Sequence, residues 1–201
     1  YKFFTYTFQE IQIVSKSYLY RREKMFKYSI DTLISKENIE KKVKEIAEKI
    51  DKDFEGEEIL LIGLLRGSVI FLSDLARELK SEATIDFMVV SSYGNKMESS
   101  RDVKILKDLE EDIEGRNVII VEDIIDTGNT LLKVQQILQT RDPKSIRICT
   151  LLDKPDRREV DIDVDYTGFQ IPDEFVVGYG IDFAQKHRTL PFVGIVKKEE
   201  E

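Results

Sequence analysis

Three carboxylates, Glu122, Asp123 and Asp126, run directly into the small-residue segment Thr127, Gly128, Asn129 and Thr130. Closely spaced carboxylates can hold a polyol and stabilise positive charge that develops during reaction. A turn of small residues that opens a helix presents backbone N–H groups and hydroxyls to an anion such as phosphate. Together they suit a ligand with vicinal hydroxyls, a phosphate and a Mg²⁺ ion, because hard cations take oxygen ligands. Two plainer alternatives stand beside this one: Glu122 and Asp123 as a solvated acidic turn, and Asp126 as a helix N-cap.

The elements that must position these groups are legible in the apolar pattern. Val118-Ile119-Ile120-Val121 is a short β-branched run of the kind buried on both faces of a parallel sheet, and the acids stand at its carboxyl end. In open α/β sheets, ligand sites lie beyond the carboxyl ends of the strands. A helical pattern resumes at Leu131 and runs to Leu138. Upstream, Ile39, Val43, Ile46, Ala47 and Ile50 predict an amphipathic helix over 36–51, with Ser35 as N-cap. Further strands are predicted over 59–65, 84–90, 103–106 and 146–152, and a helix over 69–79. Residues 95–101 are polar and aperiodic, which predicts an exposed loop. Residues 161–196 hold short β-type pieces broken by glycine and proline. This alternation predicts an α/β fold with a mainly parallel central sheet flanked by helices. Four strand ends then carry polar groups to one rim: Arg66, Tyr93, the acid cluster and Lys154.

Bulk properties narrow the chemistry. The 201 residues suffice for one domain with a substantial core, and the net charge of −8 argues against a general nucleic-acid or anionic-membrane binder. The single cysteine, Cys149, permits no intramolecular disulfide and fits a reducing cytoplasm; it sits in an apolar run and reads as a small buried hydrophobe. The single histidine, His187, excludes a multi-histidine metal site and reads as a surface side chain, leaving acid/base work to Asp and Glu. Residues 1–24 are aromatic-rich with a net charge of +3, unlike the rest of the chain. They are expected to be either an upstream extension or a non-native addition, with Met25 as the native start of a single domain over 25–201. Neither the dinucleotide signature G-x-G-x-x-G nor the P-loop signature G-x-x-x-x-G-K-[ST] is present.

The run V-I-I-V-E-D-I-I-D-T-G-N-T resembles the phosphoribosyl-pyrophosphate (PRPP) motif of the type I phosphoribosyltransferases. G-L-L-R-G-S at 63–68, S-Y-G at 92–94, L-L-D-K at 151–154 and G-F-Q-I-P-D-E-F-V-V-G-Y-G-I-D-F at 168–183 are similar, in order, to segments of the hypoxanthine-guanine phosphoribosyltransferases. The resemblance covers roughly residues 29–197. It implies that Glu122 and Asp123 sit beside the ribose hydroxyls and serve as Mg²⁺-linked groups together with Asp182. It implies Asp126 as the proton acceptor or donor at purine N7, and Asp126 with Thr127, Gly128, Asn129 and Thr130 at the 5′-phosphate. Arg66, Gly67 and Arg188 would hold pyrophosphate, and the Leu65–Arg66 peptide can be cis. Lys154 would meet the purine 6-oxo group, Phe175 would stack on the base, and Val176 would offer backbone groups to the ring edge. Asp182 would lie near a second Mg²⁺ or the purine edge. Ser92 and Tyr93 would begin a lid that keeps water from the reaction. A small C-terminal purine-binding hood would come mainly from 153–190 with part of the N-terminal region.

The implied activity is transfer of 5-phosphoribosyl from PRPP to N9 of hypoxanthine or guanine, by a cytoplasmic, Mg²⁺-dependent homo-dimer or homo-tetramer. Plainer roles remain for Arg188, as a surface charge, and for Phe175, as part of a buried strand. The rival functions are a PRPP-binding transcriptional regulator on the same fold, or a phosphoribosyltransferase for xanthine, adenine or uracil. The acidic charge and the joint presence of Arg66, Asp126, Lys154 and Arg188 count against the regulator.

Overall fold

The structure is a computed structural model that describes residues 27–92 and 103–198, with the Ser92 side chain omitted. The expectations for residues 1–24 and for Tyr93 lie outside the described residues. The chain divides into two compact units, one spanning 32–195 and the other containing the described residues 27–31 and 196–198.

In chain order the elements are β1 (Tyr28–Ile34), α1 (Lys36–Asp53), β2 (Ile59–Leu65), α2 (Val69–Glu78), β3 (Ala83–Ser92) and β4 (Val103–Lys107). They continue with β5 (Asn117–Ile125), α3 (Asn129–Gln139), β6 (Ser145–Asp153), a 3₁₀ turn (Pro155–Arg157), β7 (Tyr166–Gln170), β8 (Val176–Val177) and β9 (Val193–Lys198). Six strands form the central sheet in the order β4-β3-β2-β5-β6-β7, and β1, β9 and β8 form a small second sheet. Every central pairing is parallel except that of β3 with β4, so the sheet is parallel with one antiparallel edge.

The β-branched runs are strands because both sheet faces are covered. Side chains alternate across β5: Ile119 and Val121 join the core that includes α1 and α2, whereas Val118 and Ile120 join the core under α3. Cys149 is fully buried in the first of these cores, as its apolar surroundings predict, and burial pushes its thiol pKa upward. The α1 stripe of Ile39, Val43, Ile46, Ala47 and Ile50 is buried, and the Ser35 side chain accepts from the Asn38 N–H at 3.3 Å as its N-cap.

Two boundaries differ from the sequence expectation in ways that matter for the site. The acids Glu122 and Asp123 do not follow β5; they lie within it, because pairing with β6 continues through Glu122↔Thr150 and Ile125↔Asp153. A ladder is maintained by backbone hydrogen bonds, so it outlasts the apolar run that signals it. Ser92, expected at the start of the lid, is the final residue of β3, in register with Val103 of β4.

Candidate active site

The carboxyl ends of β2, β5 and β6 converge on one rim. The Lys154 N–H donates to the Ile125 carbonyl at 3.0 Å, which ties the end of β6 to the end of β5. The Glu159 N–H donates to the Thr127 carbonyl at 3.0 Å, and the Ile171 N–H to the Asp153 carbonyl at 2.9 Å. Backbone bonds therefore set Asp126 and Lys154 side by side, whatever their side chains do.

Between Asp126 and α3 the chain makes a tight turn. Gly128 has φ +83° and is the N-cap of α3, a left-handed conformation that glycine adopts without steric penalty. A Cβ there would also approach Val160 Cγ2 to 3.0 Å and Arg158 Nη1 to 3.1 Å. The N-cap alternative for Asp126 is excluded, since that position belongs to Gly128. The first intrahelical bond runs from the Leu132 N–H to the Gly128 carbonyl at 2.9 Å, placing the Thr130 and Leu131 N–H groups in the opening turn. Helix dipole and N–H groups there favour an anion. Glu122, Asp126, Thr127, Gly128 and Thr130 share the lining of one cleft. The Asn129 side chain faces other work, donating to Thr127 Oγ1 at 3.2 Å and to Glu159 Oε2 at 2.7 Å.

Alternation along β5 separates the paired acids. Glu122 faces the cleft at the start of α3, while Asp123 lies against Gly67, where a Cβ would come within 1.8 Å of its Oδ2. The other side of Gly67 is equally close: a Cβ on Gly180 would meet the Gly67 carbonyl oxygen at 1.9 Å. The Leu65–Arg66 peptide is cis. The 178–190 segment folds back on itself through Tyr179 N–H to Leu190 carbonyl and Gly180 N–H to Arg188 carbonyl bonds, each 2.9 Å. His187 lies in this segment with φ +73°.

That segment brings the second arginine in. Arg188 pairs through Nη2 with Asp182 Oδ1 at 2.6 Å and donates from Nη1 to the Gly180 carbonyl at 2.7 Å. It is partly buried and held in place, unlike a free surface charge. Asp182 also accepts the Gln185 N–H at 2.7 Å, and Arg66 donates to Gln185 Oε1 at 2.9 Å. Arg66, Gly67, Asp123, Asp182 and Arg188 are thus gathered around one short stretch of backbone. Phe175 does not belong to a buried strand: it precedes β8, is 53% exposed, and meets Phe183 edge-to-face at 5.4 Å. Its neighbour Val176 is buried in β8. Lys154 is buried, and its Nζ lies 3.6 Å from Asp173 Oδ1.

The acids are electrostatically loaded. Desolvation, then the neighbouring Asp123 charge, raises the Glu122 pKa well above the usual carboxylate range. Desolvation raises Asp123 to about 6, opposed by the Asp123 and Ile124 backbone N–H groups and by Arg188, and reinforced by Asp182. Glu122 Oε2 is buried with no hydrogen-bond partner among the described residues. An orphaned carboxylate oxygen in a polar cleft is a site for a ligand hydroxyl or a hydrated cation.

The raised Asp123 pKa has a stability consequence. The folded state holds this proton more tightly than the unfolded chain, so stability falls as pH rises through roughly 4 to 6. Asp123→Asn is expected to stabilise the substrate-free protein by about 1–3 kcal/mol at pH 8, with little effect at pH 4. Urea unfolding at the two pH values measures this; an equal change at both would mean that the charge is not responsible.

The sequence reading missed Arg157, Asp173, Arg158 and Gln185. Arg157 Nε donates to Asp126 Oδ1 at 3.1 Å, and Arg158 pairs closely with Asp153 behind Gly128. A signal was present, since P-D-R-R follows Lys154 directly on the strand-end rim.

Comparison with known proteins agrees with this geometry. The family described as phosphoribosyl transferase domain matches residues 29–184. A hypoxanthine phosphoribosyltransferase of Salmonella typhimurium is 56% identical over 172 residues, covering 85% of this chain and 97% of its own. A hypoxanthine-guanine phosphoribosyltransferase of Bacillus subtilis is 47% identical, covering 86% and 97%. The crystal structure of a hypoxanthine-guanine phosphoribosyltransferase from Bacillus anthracis superimposes with a TM-score of 0.79 at 53% identity, covering 86% of this chain and 99% of that one. With a parallel sheet whose strand ends carry the acid, phosphate-turn and lysine segments in order, the chain belongs to the phosphoribosyl transferase family and, within it, to the hypoxanthine-guanine phosphoribosyltransferases.

Proposed function

We propose that the protein transfers 5-phosphoribosyl from PRPP to N9 of a 6-oxopurine, hypoxanthine or guanine, forming IMP or GMP and pyrophosphate in purine salvage. The observation that supports this reading is the stitching of β6 to β5, which brings the buried Lys154 and Asp126 to neighbouring strand ends. A base whose 6-oxo oxygen accepts from Lys154 brings N7 within reach of a carboxylate on the adjoining strand. Asp126 holds the proton at N7, making the base the better nucleophile in one direction and the better leaving group in the other. The turn at Thr127, Gly128, Asn129 and Thr130 takes the 5′-phosphate. Arg66, Gly67 and Arg188 take the pyrophosphate, with bidentate guanidinium contacts suited to phosphate oxygens. Glu122 and Asp123 lie along the ribose, where positive charge develops at C1′.

Among the described residues no three Asp, Glu, His or Cys side chains are grouped to cage a metal, so Glu122, Asp123 and Asp182 do not form a protein-only site. The residues fit Mg²⁺ that takes most of its ligands from substrate and water, the usual pattern for this ion at phosphate sites. Glu122 with its orphaned Oε2, and Asp123 beside it, would hold its hydration shell; Asp182, already shared with Arg188 and the Gln185 N–H, is the weaker candidate. When bound there, the ion would supply positive charge against that of the departing pyrophosphate. Phe175, exposed at the rim, would stack on the base, Val176 would offer its backbone to the ring edge, and 153–190 would supply the hood. The family resemblance further supports a homo-dimer or homo-tetramer and a lid beginning at Tyr93. The free buried thiol of Cys149 is consistent with a cytoplasmic setting.

The deciding experiment is nucleotide formation from PRPP and Mg²⁺ with hypoxanthine, guanine, xanthine, adenine and uracil, run on the wild-type protein and on Lys154→Ala. The wild type is expected to use hypoxanthine or guanine and reject adenine, whose 6-amino group would leave the buried ammonium unpaired. Lys154→Ala is expected to reduce that preference by about 10-fold or more, the scale of a lost charge-assisted hydrogen bond. Unchanged selectivity would reject the assignment of Lys154.

A further inference from the structure

Asp126, Arg157, Asp173 and Lys154 form a row of alternating charges across the base side of the site. Arg157 Nε donates to Asp126 Oδ1 at 3.1 Å, Arg157 Nη1 stands 3.5 Å from Asp173 Oδ2, and Asp173 Oδ1 stands 3.6 Å from Lys154 Nζ. The side chains of Arg157, Asp126 and Asp173 are 46%, 48% and 52% exposed, whereas that of Lys154 is 10% exposed. Exposed ion pairs contribute little to folding, so stability does not account for the two that Arg157 makes, with Asp126 and with Asp173. Their geometry has a use at the reaction centre. Arg157 takes only Oδ1 of Asp126, and no hydrogen bond is made to Oδ2 among the described residues. A carboxylate held by one oxygen is tethered on that side and keeps its other oxygen free for the base.

We propose that Arg157 is the positioning residue for Asp126, and that Asp173 anchors Arg157 to Lys154 so that the N7 and 6-oxo contacts are set as one unit. This rests on the 6-oxopurine reading above. Arg157 takes no part in proton transfer; it orients the carboxylate that does. The planar guanidinium reaches Asp126 through Nε while Nη1 faces Asp173, and a lysine at this position would keep the charge without this fork.

The test is steady-state kinetics on the intact protein with hypoxanthine and PRPP. Arg157→Ala is expected to lower kcat by about 10-fold, the scale of a slightly misplaced catalytic group, with KM for PRPP unchanged. Arg157→Lys is expected to recover only part of that loss. Added guanidinium ion is expected to raise the turnover of Arg157→Ala but not that of the wild type. Asp173→Asn is expected to lower kcat by about 3-fold and to add nothing in the Arg157→Ala background, as members of one unit do. Wild-type kcat in Arg157→Ala overturns the proposal, and so do independent, additive effects in the double variant. Absence of nucleotide from the wild-type protein with every base overturns the 6-oxopurine reading and this inference with it, an outcome distinct from an active wild type with an indifferent Arg157.

Discussion

Asp126→Asn is expected to slow nucleotide formation by roughly 10²-fold or more, the usual scale for losing a positioned acid/base group. Asparagine keeps the size of the side chain and an oxygen that can still accept from Arg157, so the turn into α3 has no reason to refold. What it cannot do is exchange a proton with N7. The phosphate turn is built from the Gly128 conformation and from backbone N–H groups at the start of α3. PRPP affinity is therefore expected to stay within a few-fold of wild type, as a calorimetric titration with PRPP and Mg²⁺ would measure. A fall in kcat at preserved PRPP affinity is the signature of an interaction made in the transition state. Near-normal turnover would remove Asp126 from the chemistry, and lost PRPP binding would reassign it to the phosphate site.

Gly67→Ala is expected to cost a comparable factor, about 10²-fold in kcat/KM for PRPP, equivalent to about 3 kcal/mol of transition-state stabilisation. The reason is steric. An added Cβ would lie 1.8 Å from Asp123 Oδ2, with the Asp123 Cγ only 2.4 Å away. The backbone cannot retreat freely, because Gly180 already abuts the Gly67 carbonyl at a distance that leaves no room for its own Cβ. Either Asp123 leaves the side proposed for the ribose or Arg66 and its peptide leave the side proposed for the pyrophosphate. The fold is expected to survive, since Phe71, Leu72 and Leu75 anchor α2 in the core. Circular dichroism matching the wild type, alongside the kinetic loss, would locate the damage in the site. An unchanged kcat/KM would show that the close approach of Gly67 to Asp123 is dispensable.

The helices and strands were legible where hydropathy and hydrogen bonding coincide. The expected strand over 59–65 is β2 as it stands, and the expected helix over 36–51 extends only to Asp53. They diverge at β5, where the ladder to β6 carries Glu122, Asp123 and Ile124 beyond the apolar run. Backbone pairing likewise carries β3 on to Ser92, at the expected start of the lid, and α3 begins at Asn129, ahead of the apolar pattern. For Phe175 the structure removes the plainer alternative: the ring is no part of a buried strand and stands exposed against Phe183.

The sequence by itself determined the α/β class, the two-sided burial of the central strands, and the order of acid, phosphate-turn and lysine segments. These follow from local pattern: period, β-branching, and small residues at a turn. Only the tertiary structure decided that Asp123 turns toward Gly67 while Glu122 turns toward the cleft at the start of α3, that Gly180 closes over Gly67, and that Arg157 and Asp173 link Asp126 to Lys154. Charged groups on loops carry no periodic signal. Their partners are chosen by how far β5 and β6 run before the chain leaves the sheet, a distance set by backbone pairing between segments remote in sequence.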